Sequence, residues 1–100
     1  LFALDSHDFY EDQLVVAASI HHPLVRQKNL TLKHLASQPW LIREVGSGTR
    51  IAMINILKKY HIKPHIEMEI DNNEAIKQAM IGNIGISIVS KQSIELEVKT

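Results

Sequence analysis

Apolar and polar positions divide the chain into short segments of two rhythms. Leu14-Val15-Val16-Ala17-Ala18 is an unbroken apolar run, the pattern of a strand covered on both faces. His21-His22-Pro23-Leu24 interrupts it, because proline cannot continue a central strand. Thr31 to Ala36 predicts a short helix with Leu32 and Leu35 inward. Trp40 to Arg43 has strand character, Gly46-Ser47-Gly48-Thr49 is a turn, and from about Arg50 to Tyr60 the spacing is helical. Ile62-Lys63-Pro64 ends that helix.

His65-Ile66-Glu67-Met68-Glu69-Ile70 alternates strictly, which predicts a strand with one solvated face. Asp71-Asn72-Asn73 is a turn and helix cap, with Glu74 favourably placed in the first turn. Ala75, Ile76, Ala79 and Met80 recur at helical spacing through Ile81, and Gly82-Asn83 stops the helix. Ile84 to Val89 reads as a strand, with Gly85 allowing close helix–strand packing. Ser90 to Ser93 is a candidate start of a further helix, and Glu95 to Thr100 alternates without an evident partner. Leu1 to Asp12 reads as a connector or partial strand.

Strand, helix, strand, helix, strand from Trp40 onward is a βαβαβ arrangement. It predicts an α/β fold, three-layered, with a mostly parallel sheet flanked by helices and joined by right-handed crossovers. The helix after the glycine turn is unusually apolar. Ile51, Ala52, Met53, Ile54, Ile56, Leu57 and Tyr60 leave Asn55, Lys58 and Lys59 as one narrow polar stripe. A helix with one buried face needs an apolar stripe of roughly 100° or somewhat more. The excess implies either a second contact, with another domain or subunit, or deeper burial in the helix's own core.

Composition narrows the class. One hundred residues, 45% hydrophobic and 22% charged, suit a single globular domain. A formal charge of +0 and a pI near 7.2 argue against nucleic-acid binding by this segment, which would need a basic face. There is no cysteine, which suits a cytoplasmic protein. No apolar run approaches the roughly 18 residues of a membrane span, so no membrane partner is expected. The first residue is Leu1 rather than methionine, and the chain is expected to be a piece of a longer one.

The strand–turn–helix from Pro39 to Tyr60 carries the candidate chemistry. The first N–H groups of a helix lack internal partners, and the aligned peptide dipoles add positive potential there. Gly46 and Gly48 let the backbone approach a ligand, while Ser47 and Thr49 add hydroxyls and Arg50 a charge. The turn suits a small anion. The plainer alternative is that Ser47 or Thr49 only caps the helix. Ligands on parallel sheets bind at the carboxyl ends of strands, where Asp71-Asn72-Asn73 also lies. Gly46, Asn72 and Asn73 are therefore candidate rim residues.

Catalysis and metal binding find little support. No Gly-Lys-Ser/Thr and no third glycine completes a nucleotide-binding signature, and Ser47 lacks a Gly-x-Ser-x-Gly elbow. Of six histidines, His61 and His65 are four apart, but Pro64 between them spoils a helical ligand pair. His21 and His22 point differently, and exposed or capping histidines are the default reading. Glu67 and Glu69 share a strand face and read as solvated rather than as an acid–base pair. No enzyme, metal or cofactor is expected.

His22-Pro23-Leu24, Leu32 and Leu35 followed by Gln38-Pro39-Trp40-Leu41-Ile42-Arg43-Glu44, Gly46-Ser47-Gly48-Thr49-Arg50, Asn73-Glu74-Ala75-Ile76-Lys77, and Gly82 with Gly85-Ile86 occur in this order. Together they resemble the effector-binding region of LysR-type transcriptional regulators, matching in spacing across roughly residues 14 to 95. The resemblance implies a fold like type 2 periplasmic binding proteins, two α/β subdomains joined by crossover strands. This chain looks like the second: 14–90 the subdomain, 1–13 the connector from the first, 91–100 the return connector.

The same resemblance implies a small anionic effector in the cleft between subdomains, with Ser47, Gly48, Thr49 and Arg50 supplying this half of the site. It also implies antiparallel pairing of effector domains in a homodimer or tetramer, through Ile51, Ile54, Asn55 and Lys58 on the helix and Ile66 and Met68 on the strand beside it. DNA would be contacted only by a helix-turn-helix outside this chain. A solute-binding protein of a transporter shares the fold and is the competing reading. A catalytic domain on that fold would need an acid–base or nucleophile constellation that this sequence does not supply.

Overall fold

The computed structural model describes residues 2–4, 14–28, 30–90 and 97–98. The expected connector at 1–13, most of the return connector at 91–100 and the candidate helix from Ser90 to Ser93 fall largely outside them. In chain order the elements are β1 (Phe2–Ala3), β2 (Leu14–Ala18), a 3-10 turn (Pro23–Arg26), α1 (Leu32–Ala36), β3 (Pro39–Arg43), α2 (Gly48–Lys59), β4 (His65–Ile70), α3 (Asn73–Ile81), β5 (Ser87–Ser90) and β6 (Glu97–Val98).

Strands β5, β2, β1 and β6 lie in that order in one sheet, and β3 pairs with β4 in a second. A parallel bridge between Trp40 and Ile86 joins the two. There the Leu41 N–H donates to Ile86 O at 2.8 Å and the Ile86 N–H to Pro39 O at 3.0 Å. Pairing around β3 is parallel, as a βαβ unit requires. Strand β2 runs antiparallel to both β1 and β5, so the fold is mixed α/β. The C-terminal alternation does find a partner: β6 lies parallel beside β1.

The period of two along each strand separates two cores. Val16, Trp40, Ile42, Ile86 and Ile88 pack with Met53 and Leu57 of α2 on one face. Val15, Ala17, Leu41 and Val89 pack with Ile76 and Met80 of α3 on the other. All five residues of β2 are buried, which is why that run carries no polar position. In α1 Leu35 is fully buried and Ala36 packs partly against the same cluster. Leu32, expected beside it, is 39% exposed, because a five-residue helix presents little more than one turn to the core.

Three local features depart from the sequence reading. Gly85 serves a strand rather than a helix: a Cβ there would sit 2.9 Å from the Pro39 carbonyl oxygen and 3.1 Å from Leu41 Cγ. The alternation of β4 is broken by a bulge, since Ile66 faces Trp40 but Met68 faces Leu41. Ile66 and Glu69 therefore lie toward α2, and Met68 toward α3. The strand has no single solvated face, and Glu67 and Glu69 are not a matched pair.

The third departure concerns helix ends. His61 (φ 57°) and Asn83 (φ 60°) hold the left-handed positions after α2 and α3, whereas Gly82 does not. After α2 the Ile62 N–H donates to Leu57 O at 2.8 Å and the His61 N–H to Lys58 O at 3.1 Å. This is the double closure of a Schellman motif, with buried Ile62 packed in the same cluster as Leu57.

Candidate functional site

Strands β3 and β4 end side by side, with Arg43 opposite Ile70, so the turns that follow them share one edge of the sheet. After β3, Gly46 turns the chain at φ 95°, a conformation that suits glycine. Ser47 then caps α2: its Oγ accepts the Arg50 N–H at 3.4 Å, and its carbonyl accepts the Ile51 N–H at 3.1 Å. Gly48 and Thr49 occupy the first two helical positions. Among the described residues no acceptor meets the N–H of either, nor the hydroxyl of Thr49. Among the described residues, a Cβ added at Gly48 or Gly46 would meet nothing within 4 Å, so both glycines border open space.

Arg50 points elsewhere. Its Nη1 donates to Arg43 O at 3.0 Å and lies 3.5 Å from Glu69 Oε1, which ties the first turn of α2 to the ends of β3 and β4. Arg43 performs a similar task toward α3. Its Nε bonds Glu44 Oε1 at 2.9 Å and its Nη1 donates to the Asn73 side-chain oxygen. The guanidinium beside Glu44 holds that carboxyl below its ordinary range, chiefly through this hydrogen bond. Asn72 is the cap of α3, its Oδ1 accepting the Ala75 N–H at 2.7 Å.

The structure thus brings the Gly46–Arg50 turn and the Asn72–Asn73 turn to one edge, linked by two arginine contacts. Sequence reasoning gave no separate role to Arg43 or Glu69. The available signal was position, since a charged residue closing a parallel strand beside a turn is poised to bridge it to the next element. On the α3 side of this edge an open groove is lined by Glu44, Met68, Glu69, Ile70, Asp71, Ala75 and Ala79. Glu44 and Asp71 in that lining suit a small anion poorly, while the Glu69 carboxylate turns to Arg50.

The residues expected on the association face are exposed to different degrees. Ile51 is 57% exposed, and Asn55 and Lys58 are exposed, whereas Ile54 is half-buried against the core. Ile66 and Met68 are 41% and 44% exposed, on opposite faces of β4.

The histidines do structural work where they are engaged. His22 is buried, and its Nδ1 accepts the Leu24 N–H at 3.0 Å. His34 Nδ1 accepts the Thr31 N–H at 3.1 Å, completing a capping box on α1. Among the described residues no group of three His, Asp or Glu side chains is arranged to hold a metal ion. No helix of the described residues is long and apolar enough to cross a membrane.

Comparison with known proteins places this geometry. The family model described as LysR substrate binding domain matches residues 2–100. The transcriptional activator CmpR of Synechocystis is 49% identical over 89 residues, covering 89% of this chain and 29% of the relative. The chain thus spans under a third of that relative's length. Among solved structures, the CcmR regulatory domain of Synechocystis in complex with 2-PG has a TM-score of 0.73 and 39% identity, over 80% of this chain and 38% of that one. The effector binding domain of QuiR in complex with shikimate has a TM-score of 0.68 and 25% identity, over 77% of this chain and 37% of that one. The named relatives are regulators, not enzymes. By sequence and by structure, the chain belongs to the LysR substrate-binding domain family.

Proposed function

We propose that this chain senses a small anionic metabolite within a LysR-type transcriptional regulator. In this reading residues 14–90 form the second of two α/β lobes of the type 2 periplasmic-binding-protein fold, with 1–13 and 91–100 as the crossings between them. The observation that carries the proposal is that, among the described residues, no acceptor meets the N–H groups of Gly48 and Thr49 or the Thr49 hydroxyl. A capping role accounts for Ser47, whose oxygen already serves the Arg50 N–H, but leaves Thr49 unexplained. Three donors on the first turn of a helix suit a carboxylate or phosphate. The 2-PG held by the CcmR domain is a small anion and supports this choice of ligand class.

Gly46 and Asn72–Asn73 would form the rim, and the first lobe would close over the anion. Closure would bias how the regulator presents its DNA-binding part, a population shift set by differential affinity for the two states. The regulator would act in the cytoplasm as a homodimer or tetramer, with Ile51, Ile54, Asn55 and Lys58 of α2 and Ile66 and Met68 of β4 toward a second copy. DNA would be reached only through a helix-turn-helix beyond this chain. No cofactor is needed for such a role.

Calorimetric titration of 2-PG into the complete regulator tests the reading, with Thr49→Ala beside the wild type. Loss of one hydrogen bond to a charged ligand weakens binding by roughly ten- to a hundredfold, with operator affinity in the absence of ligand unchanged. Equal affinity of both proteins for 2-PG would remove Thr49 from the site.

A further inference from the structure

Arg50 carries a full positive charge in the first turn of a helix, where the peptide dipoles disfavour it. Its Nη1 donates to the Arg43 carbonyl at 3.0 Å and lies 3.5 Å from the Glu69 carboxylate, so it reaches the ends of β3 and β4. Glu69 reaches it because the β4 bulge turns that residue toward α2; unbroken alternation would present the other face. Arg43, the other cation of this edge, is engaged by Glu44 and Asn73. The Arg43 guanidinium and Nη1 of Arg50 thus both hold the turns in place.

We infer that Arg50 is a positioning residue rather than an anion ligand: with Glu69 it fixes the first turn of α2 against β3 and β4, and so sets the aim of the Gly48 and Thr49 donors. The inference rests on the anion-site reading of that turn. A guanidinium fork can meet a carbonyl and a carboxylate together, which a lysine ammonium at the same position does less well.

The test is titration of 2-PG into the complete regulator carrying Glu69→Gln, Thr49→Ala or both, with thermal unfolding of each protein. Glu69 lies off the ligand turn and is half exposed, so its variant is expected to fold normally. Positioning predicts that Glu69→Gln weakens 2-PG binding by about two- to fivefold, the scale of a partly exposed ion pair. It also predicts that this loss shrinks without vanishing in the Thr49→Ala background, because the hydroxyl is then gone while the N–H groups of residues 48 and 49 remain to be aimed. Unchanged or tighter binding by Glu69→Gln overturns the inference, since freeing Arg50 would then help an anion it touches directly. Failure of 2-PG binding to respond to Thr49→Ala defeats the site reading itself, a result separate from either of these.

Discussion

The carbonyl oxygen of Pro39 stands 2.9 Å from where a Cβ on Gly85 would lie, and that close approach joins the two sheets. The bridge from Ile86 to Pro39 and Leu41 is formed just beside it. Gly85→Ala forces the methyl group against a backbone oxygen that is itself fixed by the ladder. An overpacking cost of about 1–3 kcal/mol is expected, read as a lowered urea midpoint at constant slope. An unchanged midpoint would mean that the bridge can open to accept the methyl.

His61 occupies a left-handed position that costs an L-residue about 1–2 kcal/mol. His61→Gly relieves that cost and gives back part of it as entropy of the unfolded chain, so a net gain of up to about 1 kcal/mol is expected. Thermal unfolding of the variant measures it. A loss of stability would point to a contact of the imidazole that outweighs the backbone term.

Burial holds the His22 imidazole below its ordinary value, against an opposing contribution from Gln38. Its Nδ1 accepts the Leu24 N–H, a bond that protonation of that nitrogen removes. The unfolded chain therefore takes up the proton first as the pH drops. The stability contributed by neutral His22 is complete above about pH 6.5 and is lost as pH falls through the folded-state value. Urea unfolding of wild type and His22→Ala from about pH 7.5 to about pH 5 should show the gap between them narrowing. A gap independent of pH would show that His22 matters only as packing.

Ile51 and Ile54 separate surface from core on one helix. Ile51→Asp changes a largely exposed position and should alter stability by less than about 0.5 kcal/mol while weakening self-association. Ile54 packs in part against the core, so Ile54→Asp buries a charge and should cost more than about 1 kcal/mol. Sedimentation of the complete regulator with either substitution, beside its unfolding curve, distinguishes the two effects. Undiminished self-association with Ile51→Asp would remove Ile51 from the proposed interface.

Strong periodicity made most elements legible. The unbroken run at Leu14–Ala18, the helical spacing of Ala75, Ile76, Ala79 and Met80, and the Asn72 cap all appear where their patterns predict. What escaped depends on partners distant in the chain. The β4 bulge arises from register against β3, which no count along His65–Ile70 reveals. Gly85 was legible as a close approach, but whether a helix or a strand made it depended on Pro39, far away in sequence. The strand–turn–helix of the candidate site was visible from its glycines and hydroxyls. The direction of the Arg50 side chain was not, because Glu69 becomes its neighbour only once the parallel pair forms.

Strand β2 lies between β1 and β5, yet its main partner follows roughly seventy residues later: Val16 pairs with Ile88. During synthesis at about 5–20 residues/s, an apolar five-residue strand thus waits on the order of 4–14 s before that ladder can close. Loop-closure entropy must be met before the pairing repays it, which places the formation of β2–β5 late and makes folding slow. In that interval the nascent chain presents a sticky, chargeless segment to its neighbours. Low yield on rapid overexpression, relieved by slower translation or by holdase chaperones, is the expected cellular consequence of separating a fully buried strand from its partner by roughly seventy residues.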